Sequence, residues 1–526
     1  MSENITSKTM KELIEKIDGL TSIISTLTTT LAAQTKMIEA QTEKLEAQTE
    51  KLDAQTEKID AQTETISEQA AINNRLKEKI KVQQERLNKN SNNSSKPPSS
   101  DGLNKPNPKS LRKSSGKSPG AQKGHKGNGF KLMKEPDETI QYNPDQCNGC
   151  PNFGICKVCG ISETKYDIDI CVETKVTAHQ VLSYECPFKN NRVISGSFPS
   201  NVKSTMQYGN NLEALVIALN TSGMMGIKRT HNILSAVFGI PISTGTIFSM
   251  VKDCGLKLKN TVEIIRQSIC DLPHVHFDET GLRVNKKLHW VHGASNESFT
   301  YLSVEEKRGT IGMDSSGVLP NFSGVAIHDF WKSYFKYIDV SHAMCNAHLI
   351  RELTGVAENN PCQSWALEAI ELLLQMKKSK DVAITRGKAS LSDDCLTYFN
   401  ETYDNLFEKA ITQNPIGAKS GKRGRPKKGK IRALVDRFVE YKGEVCLFLK
   451  DFSIPFTNNL AEQDIRMIKV KQKVSGCFRT KTGADTFATI MSYIGTASKQ
   501  GINAYSAIKS ALTNQSETLI LGLATE

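Results

Sequence analysis

Three carboxylates stand at points where the local pattern of this 526-residue chain changes: Asp278, Asp329 and Glu462. Asp278 lies in HVHFDETGLRV, where apolar residues alternate with period two, as in a half-buried strand. Asp329 ends the short apolar run GVAIHD, which reads as a buried strand. Glu462 lies in NNLAEQDIRMIKVKQKVSGCFRT, a helix expected to open after Pro455 with Asn459 as N-cap. On a 3.6-residue period Glu462, Arg466, Lys469 and Lys473 share one face, and Ala461, Ile465 and Ile468 share an adjoining apolar face. Two readings of Glu462 stand side by side. In capping-box relation to Asn459 it caps its own helix. With two acids from other elements it can hold hard divalent cations, Mg²⁺ or Mn²⁺, as a pair about 4 Å apart. Such a pair activates an attacking oxygen and stabilises a leaving one in phosphoryl transfer, and Arg466 and Lys469 can steady the phosphate. Glu279 is a poorer candidate, because a strand sends neighbouring side chains to opposite faces. Asp464 lies far around the helix from Glu462.

A second chemistry is written in cysteine. Cys147, Cys150, Cys156 and Cys159 form two CxxC pairs separated by five residues, a pattern that points to structural Zn²⁺. The spacer is short, and Cys186 can substitute for one ligand after the chain returns. The other cysteines are scattered, which fits a reducing compartment with one metal site rather than a disulfide scaffold.

The elements that must position these groups follow in order. Residues 1–87 carry an apolar residue every seventh position from Met10 to Leu87, interrupted only by Asn73, and contain five tandem copies of an AQTEKLE-like unit. This pattern predicts a coiled-coil arm for homo-oligomerisation. Threonines from Thr21 to Thr63 fill the other seam position, so a solvated single helix is the alternative. Residues 88–134 are rich in Asn, Ser, Pro, Gly and Lys and are expected to be a flexible or extended basic linker. Residues 135–200 form the expected zinc-binding domain. Residues 201–262 read as helical, with a turn at Gly239 to Ile242 that suits either a helix-turn-helix or plain packing. Residues 263–500 are expected to form an α/β core. Its order of three antiparallel strands, a helix, a strand and a helix is that of a ribonuclease-H-like, retroviral-integrase-like fold. In that order the strands of Asp278 and Asp329 are neighbours. A helical insertion occupies about 352–450, and 501–526 form a C-terminal helical tail.

The net charge is +12, and it is concentrated. Residues 88–134 hold ten Lys and one Arg against one Asp, and residues 419–432 hold eight Lys/Arg and no acid. The remainder is net negative by six. Two short cationic segments on an acidic remainder point to a polyanion partner. Arg423 and Arg425, in RGRP, resemble a minor-groove hook, and with Lys427 and Lys428 they also suit plain phosphate contact. No run of apolar residues is long enough for a membrane span, and the N-terminus lacks a signal-peptide core.

Several of these stretches, in this order, resemble the insertion-sequence-66 transposase family, the large transposase subunit of bacterial insertion sequences. The carriers are NSSKPPSSDGL with PKSLRKSSGKSPGAQKGHKG, the cysteine region, HFDETGLRV, IHDFWKSYFKY, HAMCNAHLIREL, RGRPKKGK and NNLAEQDIRMIKVKQKVSGCFRT. The resemblance runs from about residue 90 to the C-terminus. It implies a DDE mechanism with Asp278, Asp329 and Glu462 as catalytic acids. It also implies cleavage of element ends, strand transfer of 3′ hydroxyls into target DNA, a zinc-binding domain, companion proteins from the same element, and a location in the bacterial cytoplasm with the nucleoid. Cys345 and His348 resemble a CxxH motif near the second acid in related transposase groups, with a structural or DNA-positioning role. The AQTEKL repeat lies beyond the family's needs. Two other functions fit parts of the chain: a non-catalytic zinc and helix-turn-helix regulator, and a nuclease on the same fold.

Overall fold

The computed structural model describes residues 3–94, 101 and 134–517, except 148, 153, 154, 158, 171, 187, 189–191 and 417–427. Most of the basic linker, and Arg423, Arg425 and Lys427, therefore lie outside the described residues. The chain divides into two compact units, Met1–Lys89 and Asn90–Glu526.

The first unit is one helix, α1 (Glu3–Leu87). Its heptad residues, among them Ile17, Ile24, Leu31, Leu45 and Leu52, are exposed. The threonines of the second seam do not need a partner. Thr28, Thr35, Thr42, Thr49, Thr56 and Thr63 each donate from Oγ1 to the carbonyl four residues earlier, at 2.6–2.9 Å.

In the second unit, Asn93 and Ser94 are buried, where sequence suggested a flexible linker start. The Asn93 carbonyl approaches Gly355, which has no side chain to obstruct it, and the Asn93 amide donates to Glu358 at 2.9 Å. Residues 134–200 contain a short hairpin, β1 (Ser183–Cys186) and β2 (Arg192–Ser195), and none of their described apolar side chains is buried. Four helices follow: α2 (Asn210–Asn220), α3 (Ile227–Phe238), α4 (Thr244–Lys257) and α5 (Lys259–Cys270). Gly239 ends α3 in the left-handed region (φ 63°), and Ser243 caps α4 by accepting from the Thr246 N–H.

The central sheet has five strands: β3 (His274–Val284), β4 (Lys287–Ser295), β5 (Thr300–Glu305), β6 (Val325–His328) and β7 (Ser341–Met344). Their order is β5-β4-β3-β6-β7. The pairs β3–β4 and β4–β5 are antiparallel, and β3–β6 and β6–β7 are parallel. A short helix, α6 (Thr310–Ser316), bridges β5 towards β6. The insertion is helical: α7 (Asn346–Asn359), α8 (Trp365–Thr385), α9 (Asp393–Gln413), α10 (Lys430–Glu440), α11 (Lys442–Val445) and α12 (Leu447–Lys450). The chain returns through α13 (Asn459–Ser475), α14 (Lys481–Lys499) and α15 (Ala504–Leu512).

Three apolar clusters hold these layers. Ile217, Leu234, Ile247 and Ile265 of α2–α5 share one core with Val275, Phe277 and Ala326 of the sheet and with α14 and α15. The insertion packs Trp365, Phe407 and Phe438 together and meets the sheet at Ile327, Ala343 and Met344. Ile465 and Ile468 of α13 and Phe487 of α14 cover Leu282, Val291 and Leu302 on the third side. At the closest approach of α13 to the sheet, a side chain on Gly293 would sit 2.9 Å from Ile465. Gly293→Val is therefore expected to overpack this contact and to lower stability by about 1–3 kcal/mol in urea unfolding. A variant as stable as wild type contradicts the close approach.

Candidate active site

Register brings the first two acids together. β3 and β6 pair in parallel with His276 opposite Ile327. Asp278 and Asp329 each lie two residues beyond this last pair, on strands about 4.8 Å apart. Asp278 also pairs directly with Gly293 on β4. Directly opposed residues of an antiparallel pair project to the same face. Ile465 packs over Gly293, so Asp278 faces α13, the helix that carries Glu462. Asp329 follows the last residue of β6 and is turned by its own backbone, accepting from the Trp331 N–H at 3.0 Å. Cys345 follows the last residue of the adjacent parallel strand β7. The site thus opens where parallel strands end, a common place for reacting groups in α/β sheets.

Glu462 does not cap its helix. α13 begins at Asn459, so the cap position belongs to Asn458 rather than Asn459, and Asn458 makes no side-chain cap bond. Its side chain is committed elsewhere. Its amide donates to the Phe277 carbonyl at 2.7 Å, and its Oδ1 lies 2.8 Å from His276 Nδ1. Its backbone N–H donates to Cys345 Sγ at 3.1 Å. One buried asparagine therefore ties together the strand of Asp278, the start of α7 and the start of α13. Glu462 is left with an Oε1 that is buried without a hydrogen-bond partner. His348 Nδ1 lies 3.6 Å from that oxygen and Arg351 Nη2 3.7 Å from it.

The electrostatics reflect burial first and neighbouring like charge second. Burial, then the charges of Glu279, Asp329 and Glu462, holds the Asp278 carboxyl well above the usual carboxylate range. Burial, then Glu279, pushes Asp329 up to about 6. Burial raises Glu462, with Asp329 adding to the shift and Arg351 opposing it. Burial, followed by Arg351, pushes His348 down to about 3, so its imidazole is neutral. Three partly buried carboxylates thus have raised pKa values, with burial the first cause of each; the three are not gathered within 4.8 Å of one another among the described residues. The donor set fits Mg²⁺ or Mn²⁺.

The remaining candidates divide. Arg466 and Lys473 are exposed on α13. Lys469 instead turns its ammonium onto the Gly281 carbonyl and clamps the helix to β3. Lys428 forms an ion pair with Asp436 at 2.5 Å. Cys147, Cys150, Cys156 and Cys159 are free thiols, the last three exposed. Among the described residues, the cluster of three potential ligands brought within 4.8 Å of one another is Cys345, His348 and Glu462. Glu279 is taken by other partners: Arg308 at 2.6 Å and the Tyr334 hydroxyl at 2.6 Å. Arg308 stacks over Trp331 at 4.2 Å. Lys471 was not singled out by the sequence because it lies off the cationic row. It is buried, and its ammonium binds the Asn220 carbonyl at 2.6 Å. Asn458 was missed for a related reason: next to Asn459, before a helix, it reads as one more capping residue.

Asn458→Ala should strand the Phe277 carbonyl and His276 ring and lower the urea midpoint by the equivalent of about 1–3 kcal/mol. An unchanged midpoint would show that the three-way tie carries no weight. The raised pKa of Asp329 has a definite sign. The folded state holds the proton more tightly than the unfolded one, so stability is greatest below the unfolded carboxylate value and falls as pH rises to about 6. Without divalent ions at pH 7.5, Asp329→Asn should therefore melt higher than wild type, by the equivalent of about 1–3 kcal/mol. Added Mg²⁺ should raise the wild-type melting temperature more than that of the variant. Differential scanning calorimetry checks both, and a variant that melts lower in metal-free buffer refutes the repulsion.

Comparison with known proteins agrees with this architecture. The family described as "Transposase IS66 family" matches residues 205–486, more than half of the chain and all three acids. A family of unknown function matches residues 4–131. The cysteine pairs and the basic segment upstream thus fall outside the transposase match. No curated protein matches the chain. Among the described residues no helix is long and apolar enough to cross a membrane. The span that contains the sheet, the helical insertion and α13 is shared with the transposases, and the chain belongs to the IS66 transposase family.

Proposed function

We propose that the chain is a DDE transposase with a ribonuclease-H-like core, in which Asp278, Asp329 and Glu462 hold two Mg²⁺ or Mn²⁺ ions. The observation that carries this reading is the parallel pairing of β3 with β6, each of which carries an acid two residues beyond its last pair, beneath the helix of Glu462. The sheet order β5-β4-β3-β6-β7, with the fourth strand parallel to the first, supports the fold. Bound there, the ions supply activation of the attacking oxygen and stabilisation of the leaving oxygen in cleavage of element ends and in strand transfer of 3′ hydroxyls.

The chain's own residues do the rest. Asn458 and Lys469 hold α13 against β3, so the carboxylate of Glu462 is presented without rearrangement. Arg466 and Lys473, exposed along the same helix, offer charge to the DNA backbone. Arg423, Arg425, Lys427 and Lys428 add a second cationic contact from the insertion. Cys147, Cys150, Cys156 and Cys159, with Cys186 as a possible substitute, bind structural Zn²⁺. The exposure of the described apolar side chains in residues 134–200 supports this, since a small region without a core gains its folding energy from a metal. The exposed heptad stripe of α1 supports a homo-oligomer, which the joint handling of two element ends requires. The partners are DNA ends, target DNA and companion proteins of the element, in the bacterial cytoplasm at the nucleoid.

The test is incubation of the purified protein with element-end duplex and Mg²⁺ or Mn²⁺. Wild type should nick the ends and join them to target. Asp278→Asn, Asp329→Asn and Glu462→Gln should each lose on the order of 10³-fold or more of the rate. Cleavage without joining assigns a nuclease. DNA binding with neither reaction assigns a regulator, and active variants remove these acids from the mechanism.

A further inference from the structure

The junction of α7 and α13 sets two side chains that the carboxylate chemistry does not use, Cys345 and His348, beside Glu462, which it does. Cys345 occupies the cap position of α7 and His348 lies three residues on, so both side chains fall on one face of its first turn. Glu462 enters from the first turn of α13. One thiol, one imidazole nitrogen and one carboxylate oxygen lie within 4.8 Å of one another.

Two of these atoms are in conflict. His348 Nδ1 and Glu462 Oε1 face each other at 3.6 Å, beyond hydrogen-bond length, and both are buried without a partner. A buried polar atom left unsatisfied costs about 1–3 kcal/mol, so two of them side by side need a reason. Arg351 does not supply one, since its nearest nitrogen is 3.7 Å from the same oxygen. The third atom, Cys345 Sγ, accepts an N–H from Asn458 at 3.1 Å. A backbone donor aimed at sulfur is the usual support of a metal-bound thiolate.

We infer that Cys345, His348 and Glu462 bind one Zn²⁺ ion, through Sγ, Nδ1 and a carboxylate oxygen, at a site distinct from the Cys147–Cys159 pairs. A tetrahedral zinc ion with bonds of ~2.0–2.3 Å sets its ligand atoms roughly 3.3–3.8 Å apart, so the 3.6 Å pair already has the required span. Binding releases the Cys345 proton to solvent. One thiolate and one carboxylate then cancel the charge of the ion, which makes its burial affordable in charge terms. Thiolate and imidazole select zinc over Mg²⁺, which prefers oxygen. Three protein ligands leave a fourth position open. The consequence for catalysis rests on the proposed transposase reading. Zinc on one side of Glu462 fixes the orientation of its carboxylate, so Cys345 and His348 are positioning residues for the third acid.

The experiment counts metal in the full-length protein. Wild type, Cys345→Ser and His348→Gln are stripped, reloaded with Zn²⁺ or Co²⁺, and measured by atomic emission and by thiolate-to-cobalt absorption. Wild type should hold one ion per chain more than either variant. Cys345→Ser should lose part of the thiolate band, and His348→Gln should weaken binding of that ion by about tenfold or more. His348 is partly exposed, so its variant decides the matter if Cys345→Ser fails to fold. Equal metal content and equal cobalt spectra in wild type and His348→Gln overturn the site. The nicking assay keeps the two ideas apart. Wild type that carries the Cys345-dependent ion but does not cut DNA preserves this site and removes the transposase reading. Wild type that cuts DNA and lacks the ion does the reverse.

Discussion

Withdrawal of carboxylates from water, beside other carboxylates, is the constraint on which the rest of this structure depends. Asp278, Asp329 and Glu462 are each harder to ionise because they are partly buried, and Asp278 and Glu462 also because Asp329 is near. They stay together because each is carried by an element that cannot retreat. Asp278 is in the middle of the longest strand of the sheet. Asp329 is fixed by the end of β6 and by the Trp331 N–H. Glu462 is on a helix pressed into the sheet at Gly293. Apolar packing between α13 and the sheet therefore supplies the force that holds an unfavourable charge arrangement in place.

Polar ties refine what packing provides. Asn458 joins three elements through groups that are all buried, where each bond removes an otherwise unsatisfied atom. Lys469 and Lys471 extend the same logic along α13, binding carbonyls of β3 and of the α2–α3 connection. Lys469 looks like part of a DNA-facing row in the sequence and Lys471 lies off that row, yet both act as bolts between layers. On α13 the groups still open to a polyanion are the Lys473 ammonium and the Arg466 guanidinium.

The helical insertion raises a separate question of order. It separates Asp329 from Glu462 by more than a hundred residues, yet it builds its own apolar cluster around Trp365, Phe407 and Phe438. Its first helix, α7, brings Cys345, His348 and Arg351 to the mouth of the carboxylate site. The insertion is thus part of the site's wall, and not merely a spacer.

Much of this was legible in the chain itself. Period-two alternation marked β3, β4 and β5, and a short apolar run marked β6, because a strand's faces are written residue by residue. The long helix α1 was legible for the same reason: its heptad is a local pattern. Three things were not. The cap position of α13 shifted by one residue, because Asn458 gains more from the Phe277 carbonyl and His276 than from its own helix. The first residues after α1 are buried at Asn93 because a glycine in α7, far along the chain, leaves room for them. Cys345, His348 and Glu462 share a centre only because α7 and α13 start side by side. The sequence by itself determined where most of the strands and helices lie, since those follow from neighbours along the chain; the edge strand β7 was not among them. Which polar atoms meet, and which are left without a partner, depended on contacts between residues more than a hundred positions apart, and only the tertiary structure decided them.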